Sequence, residues 1–252
     1  MNQNTRMKIK ELITEVINRK LERYKQETVS SPFFNAIFSK QSVKLASLMQ
    51  SFYTSFGMSV YEPIAVTLAR GAGFHAERQF KILGEIDNGT ENLITQLHLN
   101  LKKGIPANKP NETQSVRRSI KQGRALVDPD SRADVFVRKP TGEEYYFDIT
   151  TVKPNLKEFA TLKHKLLRWI GLRLSQNKDL KVYSAIAIPY NPYHPQPYAR
   201  WTKAKMLDQS ELLVGEKLWN FFANKDIYSN LLEVFKEVGE EMKGSIEEMV
   251  GN

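Results

Sequence analysis

The sequence predicts an α/β (α+β) fold in which a mixed central sheet is flanked by helices, with a helical N-terminal part. Three observations carry that expectation. Residues 5–56 repeat apolar side chains at three- and four-residue spacing. Residues 134–152 hold two strand-like runs around a turn signal. A basic helical pattern and the short apolar run KVYSAIAIP then complete the order strand, strand, helix, strand.

With 252 residues and 41% hydrophobic content, the chain can bury one large core. A single domain over 1–252 is expected, with a helical part (1–70), a catalytic core (71–205) and C-terminal helices (206–252). The formal net charge of +9, from 37 Lys and Arg against 28 Asp and Glu, favours a polyanionic partner. No apolar run approaches the roughly 18 residues of a membrane span, and the first 13 residues lack the apolar core of a signal peptide. A soluble cytoplasmic protein with no membrane partner is expected. There is no cysteine, which excludes disulfides, thiolate nucleophiles and Cys-based zinc sites. His75, His98, His164 and His194 are scattered without paired spacing, and neither a Walker A sequence nor GxGxxG occurs.

Residues 5–26 place Ile9, Leu12, Ile13, Val16, Ile17 and Leu21 on one helical face. Ser30, Ser31 and Pro32 interrupt the pattern, which resumes over 33–56 and again over 58–70 until Gly71-Ala72-Gly73 stops it. Next comes the small segment FHAERQF, which contains Glu77. Residues 88–101 read as a further helix. The passage 102–124 is polar and basic, with Arg117, Arg118 and Arg124 among Gly, Pro, Asn and Ser, and suits a loop that closes over DNA phosphates.

Residues 128–155 read as a β-hairpin with chemistry on it. Val135 and Val137 alternate with Asp134 and Phe136, Lys139-Pro140-Thr141-Gly142 makes the turn, and 145–152 form the second strand. If Asp134 and Asp148 share a face, their carboxylates can hold one hard divalent cation; without it, two close like charges repel. A basic group completes such a set, and Lys153 follows Asp148 by five positions. Strict alternation turns Lys153 to the other face, so it serves only where the strand bends after Thr151. Asp148 as ligand with Lys153 as the basic group is the preferred reading. Two others stay open: a different base beside Asp148, or Thr151-Val152-Lys153 as a motif whose acid comes from elsewhere.

Residues 156–174 form a basic amphipathic helix and 181–189 a strand. The run PYNPYHPQPYARW (189–201) follows, too rich in proline for helix or central strand. Its Asn191, Tyr193, His194, Gln196 and Arg200 are of the types that stack on bases or bond base edges. Residues 212–222 and 227–249 are expected to finish the chain as helices.

Together, SRADVFVRKPTGEEYYFDITTVKPN, AIAIPYNPYHPQPYARW and GEKLWNFFANKDIYSNLLEVFKEVGEE resemble the TdeIII-type restriction endonucleases of the PD-(D/E)XK superfamily. The resemblance covers most of the chain from Ser131 onward. It implies a restriction-endonuclease-like core and a Mg2+-dependent homodimer that cuts double-stranded DNA at a short, GGNCC-like palindrome. Asp134 and Asp148 match the motif acids, while Thr150 stands where the motif has lysine. The resemblance also places Glu77 on a first core helix, where a glutamate can add to the metal site. Two rivals remain: a sequence-specific DNA-binding protein whose nuclease site has decayed at Thr150, and a structure-selective nuclease.

Overall fold

The computed structural model describes residues 1–24, 31–150, 153, 155–199 and 207–251, and divides the chain into two units. The first comprises Met1–Thr67 and Ile227–Asn252, the second Leu68–Asp226.

In the first unit, α1 (Gln3–Arg23) and α9 (Tyr228–Gly251) pack together. Ile9, Ile13, Val16, Ile17 and Leu21 are the buried residues of α1, and Leu231, Val234, Val238 and Met242 are buried on α9. This is the periodic apolar face doing what amphipathicity demands. Ion pairs from Arg6 to Glu237 and from Lys10 to Glu241 run along the contact. The helices α2 (Pro32–Ile37) and α3 (Lys40–Phe56) follow, then a π-helical turn (Gly57–Tyr61) leading into α4 (Glu62–Gly71).

The second unit is built on a five-stranded sheet of order β1-β2-β3-β4-β5. The hairpin of β2 (Val127–Arg138) and β3 (Glu144–Ile149) is antiparallel, as is β1 (His75–Leu83) to β2. Strands β4 (Val182–Ile188) and β5 (Leu212–Val214) extend the sheet in parallel. The β3–β4 crossover is the helix α7 (Leu156–Gln176), with α5 (Asn88–Lys102) and α6 (Lys109–Ser119) packed on it. On the opposite face, Phe221 and Phe222 of α8 (Glu216–Ala223) meet Tyr145 and Phe147. The result is a mixed sheet flanked by helices, a restriction-endonuclease-like fold. Among the described residues no helix is long and apolar enough to cross a membrane.

The hairpin turn is the one the sequence signals. Gly142, at φ +87°, donates its N–H to the Lys139 carbonyl at 2.9 Å, a left-handed position that glycine occupies without steric cost. A second glycine answers to space instead. A Cβ on Gly84, just past β1, would lie 2.2 Å from the Leu172 carbonyl oxygen of α7, an unyielding backbone atom. Gly84→Ala should therefore cost at least about 3 kcal/mol in a urea denaturation; an unchanged midpoint would show that β1 and α7 separate easily.

Three expectations are corrected. The segment holding Glu77 is strand β1, not helix, because pairing with β2 overrides a local pattern already broken at Gln79, whose φ is +50°. The passage 102–124 is not all loop. It contains α6, capped by Asn108 with Pro at its first turn, which inserts Lys109, Glu112 and Val116 inward, so apolar periodicity cannot reveal it. Residues 212–222 are not one helix: 212–214 pair with β4, and Gly215 at φ +53° turns the chain into α8.

The charges of α6 are part of a buried ionic cluster. Lys163 of α7, fully buried, bonds Glu112 and both oxygens of Glu211 (2.8 and 2.6 Å). Lys109 reaches Glu211 at 2.8 Å and Ser184 of β4 at 3.0 Å. Two ammoniums and two carboxylates balance, which is what makes such burial tolerable. Burial alone would raise the Glu211 carboxyl, yet Lys109 and Lys163 outweigh it and hold it below its usual value.

Candidate active site

The hairpin register sets the site. Val135 pairs with Phe147 and Phe136 with Tyr146, so Asp134 and Asp148 occupy the next facing positions. Both therefore share the face of Phe136 and Tyr146, whose ring centroids lie 5.1 Å apart. Past Val135 the ladder is taken over by a side chain: Asp134 Oδ2 accepts the Ile149 N–H at 2.7 Å. Its Oδ1 accepts from Gln79 Nε2 at 3.3 Å.

The left-handed Gln79 explains how β1 reaches this point. Phe80, opposite Ala133 in register, nevertheless stacks on Phe136 with centroids 4.2 Å apart. The kink at Gln79 thus returns the strand to the same face and aims its own amide at Asp134.

Asp148 is buried, and a cation meets it. Lys165 Nζ of α7 donates to Asp148 Oδ2 while lying 4.9 Å over the Trp169 ring. Trp169 is itself fully buried, and its indole Nε1 has no hydrogen-bond partner among the described residues. Helix α7 is placed for this by its first turn. Asn155 caps it in a reciprocal box with Glu158, starting the helix just after β3 so that it returns across the sheet. Its neighbour His164 is no competing cation, since burial holds the imidazole below its usual value and so neutral at pH 7.

Lys165 is the residue that sequence reasoning missed, counted there among the polar residues of a basic helix. Three others of that helix are paired as well: Lys163 within the buried cluster, Arg168 with Glu91 and Asp128, Arg173 with Glu144. A signal existed. Lys163 stands four residues after Phe159 and three before Leu166, inside the apolar stripe, and Lys165 stands four before Trp169 at its edge.

The other candidates divide. Thr150 donates its N–H to the Ala187 carbonyl at 3.1 Å. Lys153 is exposed, with its ammonium 5.7 Å over the Tyr193 ring; Thr151 lies outside the described residues. Glu77 pairs with His75 at 2.7 Å, opposite Phe136 and one pleat away from Gln79. In the proline-rich loop, Asn191 accepts the Tyr193 N–H at 3.0 Å and donates to the Gln196 carbonyl at 2.7 Å, closing the loop on itself. His194 and Gln196 are exposed, Tyr198 is buried, and Arg200 lies outside the described residues. Arg117 donates to the Lys178 and Leu180 carbonyls. Arg124 forks onto Glu85, whose carboxyl that bond holds down at about 2, and Arg118 is exposed.

Two acids on facing strands, one pinned by a backbone amide and one by an ammonium, form a donor set of hard oxygens suited to a divalent cation at a phosphate. Comparison with known proteins identifies the family. The chain is 26% identical to the type II restriction enzyme HgiCII of Herpetosiphon aurantiacus, over 95% of each chain. It is 24% identical to HgiEI of the same organism, over 95% of this chain and 94% of that one. Over residues 1–239 it matches the family model described as type II restriction endonuclease, HinfI, and the mixed sheet flanked by helices accords with that match: the chain belongs to the HinfI family of type II restriction endonucleases.

Proposed function

We propose that this enzyme hydrolyses phosphodiester bonds of double-stranded DNA through Asp134 and Asp148, in the manner of the PD-(D/E)XK nucleases, at a short palindrome. The observation that carries the reading is the placement of both carboxylates on one face of the hairpin with the Lys165 ammonium on Asp148. Asp134 and Asp148, with the main-chain carbonyl of Ile149, would hold Mg2+. When bound, that ion supplies Lewis-acid polarisation of the phosphate and a lowered pKa for water.

The chain's own groups do the rest. Asp134 is fixed by the Ile149 amide and Gln79, so its carboxylate presents one orientation. Lys165, bonded to Asp148, takes the part of the motif lysine absent at Thr150, orienting the attacking water and offsetting charge that builds on the phosphate. Lys153 is the alternative for that role, from the side of the proline-rich loop. In-line attack breaks the P–O3′ bond, leaving a 5′-phosphate and a 3′-hydroxyl. His194, Gln196 and Arg118 are the DNA-contacting groups best exposed for it, with half-buried Tyr193 beside them, and the +9 charge supplies long-range attraction. The protein works in the cytoplasm as a homodimer, and the recognised site is GGNCC-like by the TdeIII-type resemblance.

The test is incubation with a plasmid carrying GGNCC and other palindromes, with Mg2+ or EDTA, followed by run-off sequencing of the ends. Discrete fragments formed only with Mg2+ are expected. DNA bound but left intact would instead favour a DNA-binding protein whose site has decayed at Thr150. Binding measured in Ca2+ should weaken with salt by a log–log slope of about −0.9 per phosphate neutralised. A flat salt profile would remove the phosphate backbone from the contact.

A further inference from the structure

We infer that the apolar face of α2 and α3 is the docking surface for a second copy of this chain. Helix α2 buries none of its residues and α3 only Leu48. Phe33, Phe34 and Ile37 are 84, 62 and 74% exposed, and Leu45, Met49 and Tyr53 are 42, 42 and 61% exposed. On α3 the residues Leu45, Met49, Phe52 and Phe56 follow at spacings of four, three and four, so they form one stripe, none of it fully buried. The amphipathic pattern that sinks α1 into its core is here turned outward.

The six exposed side chains present roughly 700 Å² of surface if each offers about 200 Å² when fully exposed. That exceeds the roughly 300–600 Å² of the largest apolar patch on an ordinary monomer and approaches the about 800 Å² each partner contributes to a stable interface.

Charge decides what covers it. No charged residue occurs in 31–39 or in 45–61, although 26% of the chain is charged; Lys40 and Lys44 fall between these stretches, more than a quarter turn off the Leu45–Phe56 stripe. Two copies at +9 each repel over most of their surfaces, and a neutral face lets them meet without opposing ammoniums. Its Phe, Tyr and Met content matches the core of a protein interface, and it lacks the Lys and Arg that DNA would demand. The same patch on both copies gives a two-fold contact, which suits a palindrome cut by two Asp134–Asp148 centres. That last point rests on the nuclease reading.

Sedimentation velocity of the full chain at micromolar concentration, without DNA or metal, tests the surface. The wild type should sediment as a dimer, and Phe33→Asp with Ile37→Asp should raise the dimer dissociation constant at least about 100-fold. Both positions are so exposed that the fold should keep its circular dichroism. Should the variant unfold, a second measurement decides. The chain has no cysteine, so Ile37→Cys should give a cross-linked dimer on mild oxidation while Lys178→Cys, also exposed, gives none.

A monomeric wild type, or a dimer unaffected by the double substitution, overturns the inference. So does a monomer that floats with anionic lipid vesicles, which would make the face a membrane contact. A dimer that never cuts DNA sinks the nuclease reading alone, and a monomer that cuts sinks the interface alone.

Discussion

Asp134→Asn should lower Mg2+-dependent DNA cleavage by more than about 10³-fold while leaving DNA binding in Ca2+ intact. The choice of asparagine follows from the hydrogen bonds. Asp134 Oδ2 accepts the Ile149 N–H where the β2–β3 ladder gives out, so alanine would orphan a backbone donor as well as remove a charge. Asparagine keeps an acceptor oxygen for that amide and removes the negative charge; its NH2 takes the place of Oδ1, and a flip of the Gln79 amide to present its oxygen restores that bond. The thermal midpoint should then stay within a few degrees of wild type. Cleavage at the wild-type rate would take the hairpin out of the chemistry, and the family membership would have to be served by carboxylates elsewhere.

What could be read from the sequence follows from where each element's information lies. Helix α1 and the β2–β3 hairpin satisfy local rules, with apolar residues at helical spacing in one and alternation around a Gly142 turn in the other, and both were legible. Strand β1 was not, because the positive φ at Gln79 breaks the two-residue period that would announce it. Helix α6 hid for a different reason: the face it buries carries Lys109 and Glu112, whose partners Lys163 and Glu211 are some 50 or more residues distant in the chain. The facing of Asp134 and Asp148 across the hairpin was legible because the strand alternation on either side of the turn puts both on one face. The ammonium that meets Asp148 was not legible, since a lysine on a helix is usually solvated and only the β3–α7–β4 crossover brings Lys165 to Asp148.

That crossover makes Lys165 the sharper of the two lysine tests. Lys165→Met keeps an unbranched stem to lie on Trp169 while deleting the ammonium, so packing changes little. Cleavage should nevertheless fall at least about 10²-fold, with KM for DNA changed far less than kcat, because the lost group acts on the reacting phosphate and its water. Lys153→Met should move the two parameters the other way, raising KM with kcat held nearly constant, since its ammonium lies over Tyr193 of the proline-rich loop. Removing Lys165 also leaves the buried Asp148 without the cation that bonds its Oδ2. The reverse pattern, with Lys153→Met inactive and Lys165→Met nearly normal, would mean that the strand bends after Thr151 to deliver Lys153, and that the Lys165–Asp148 bond gives way when DNA arrives.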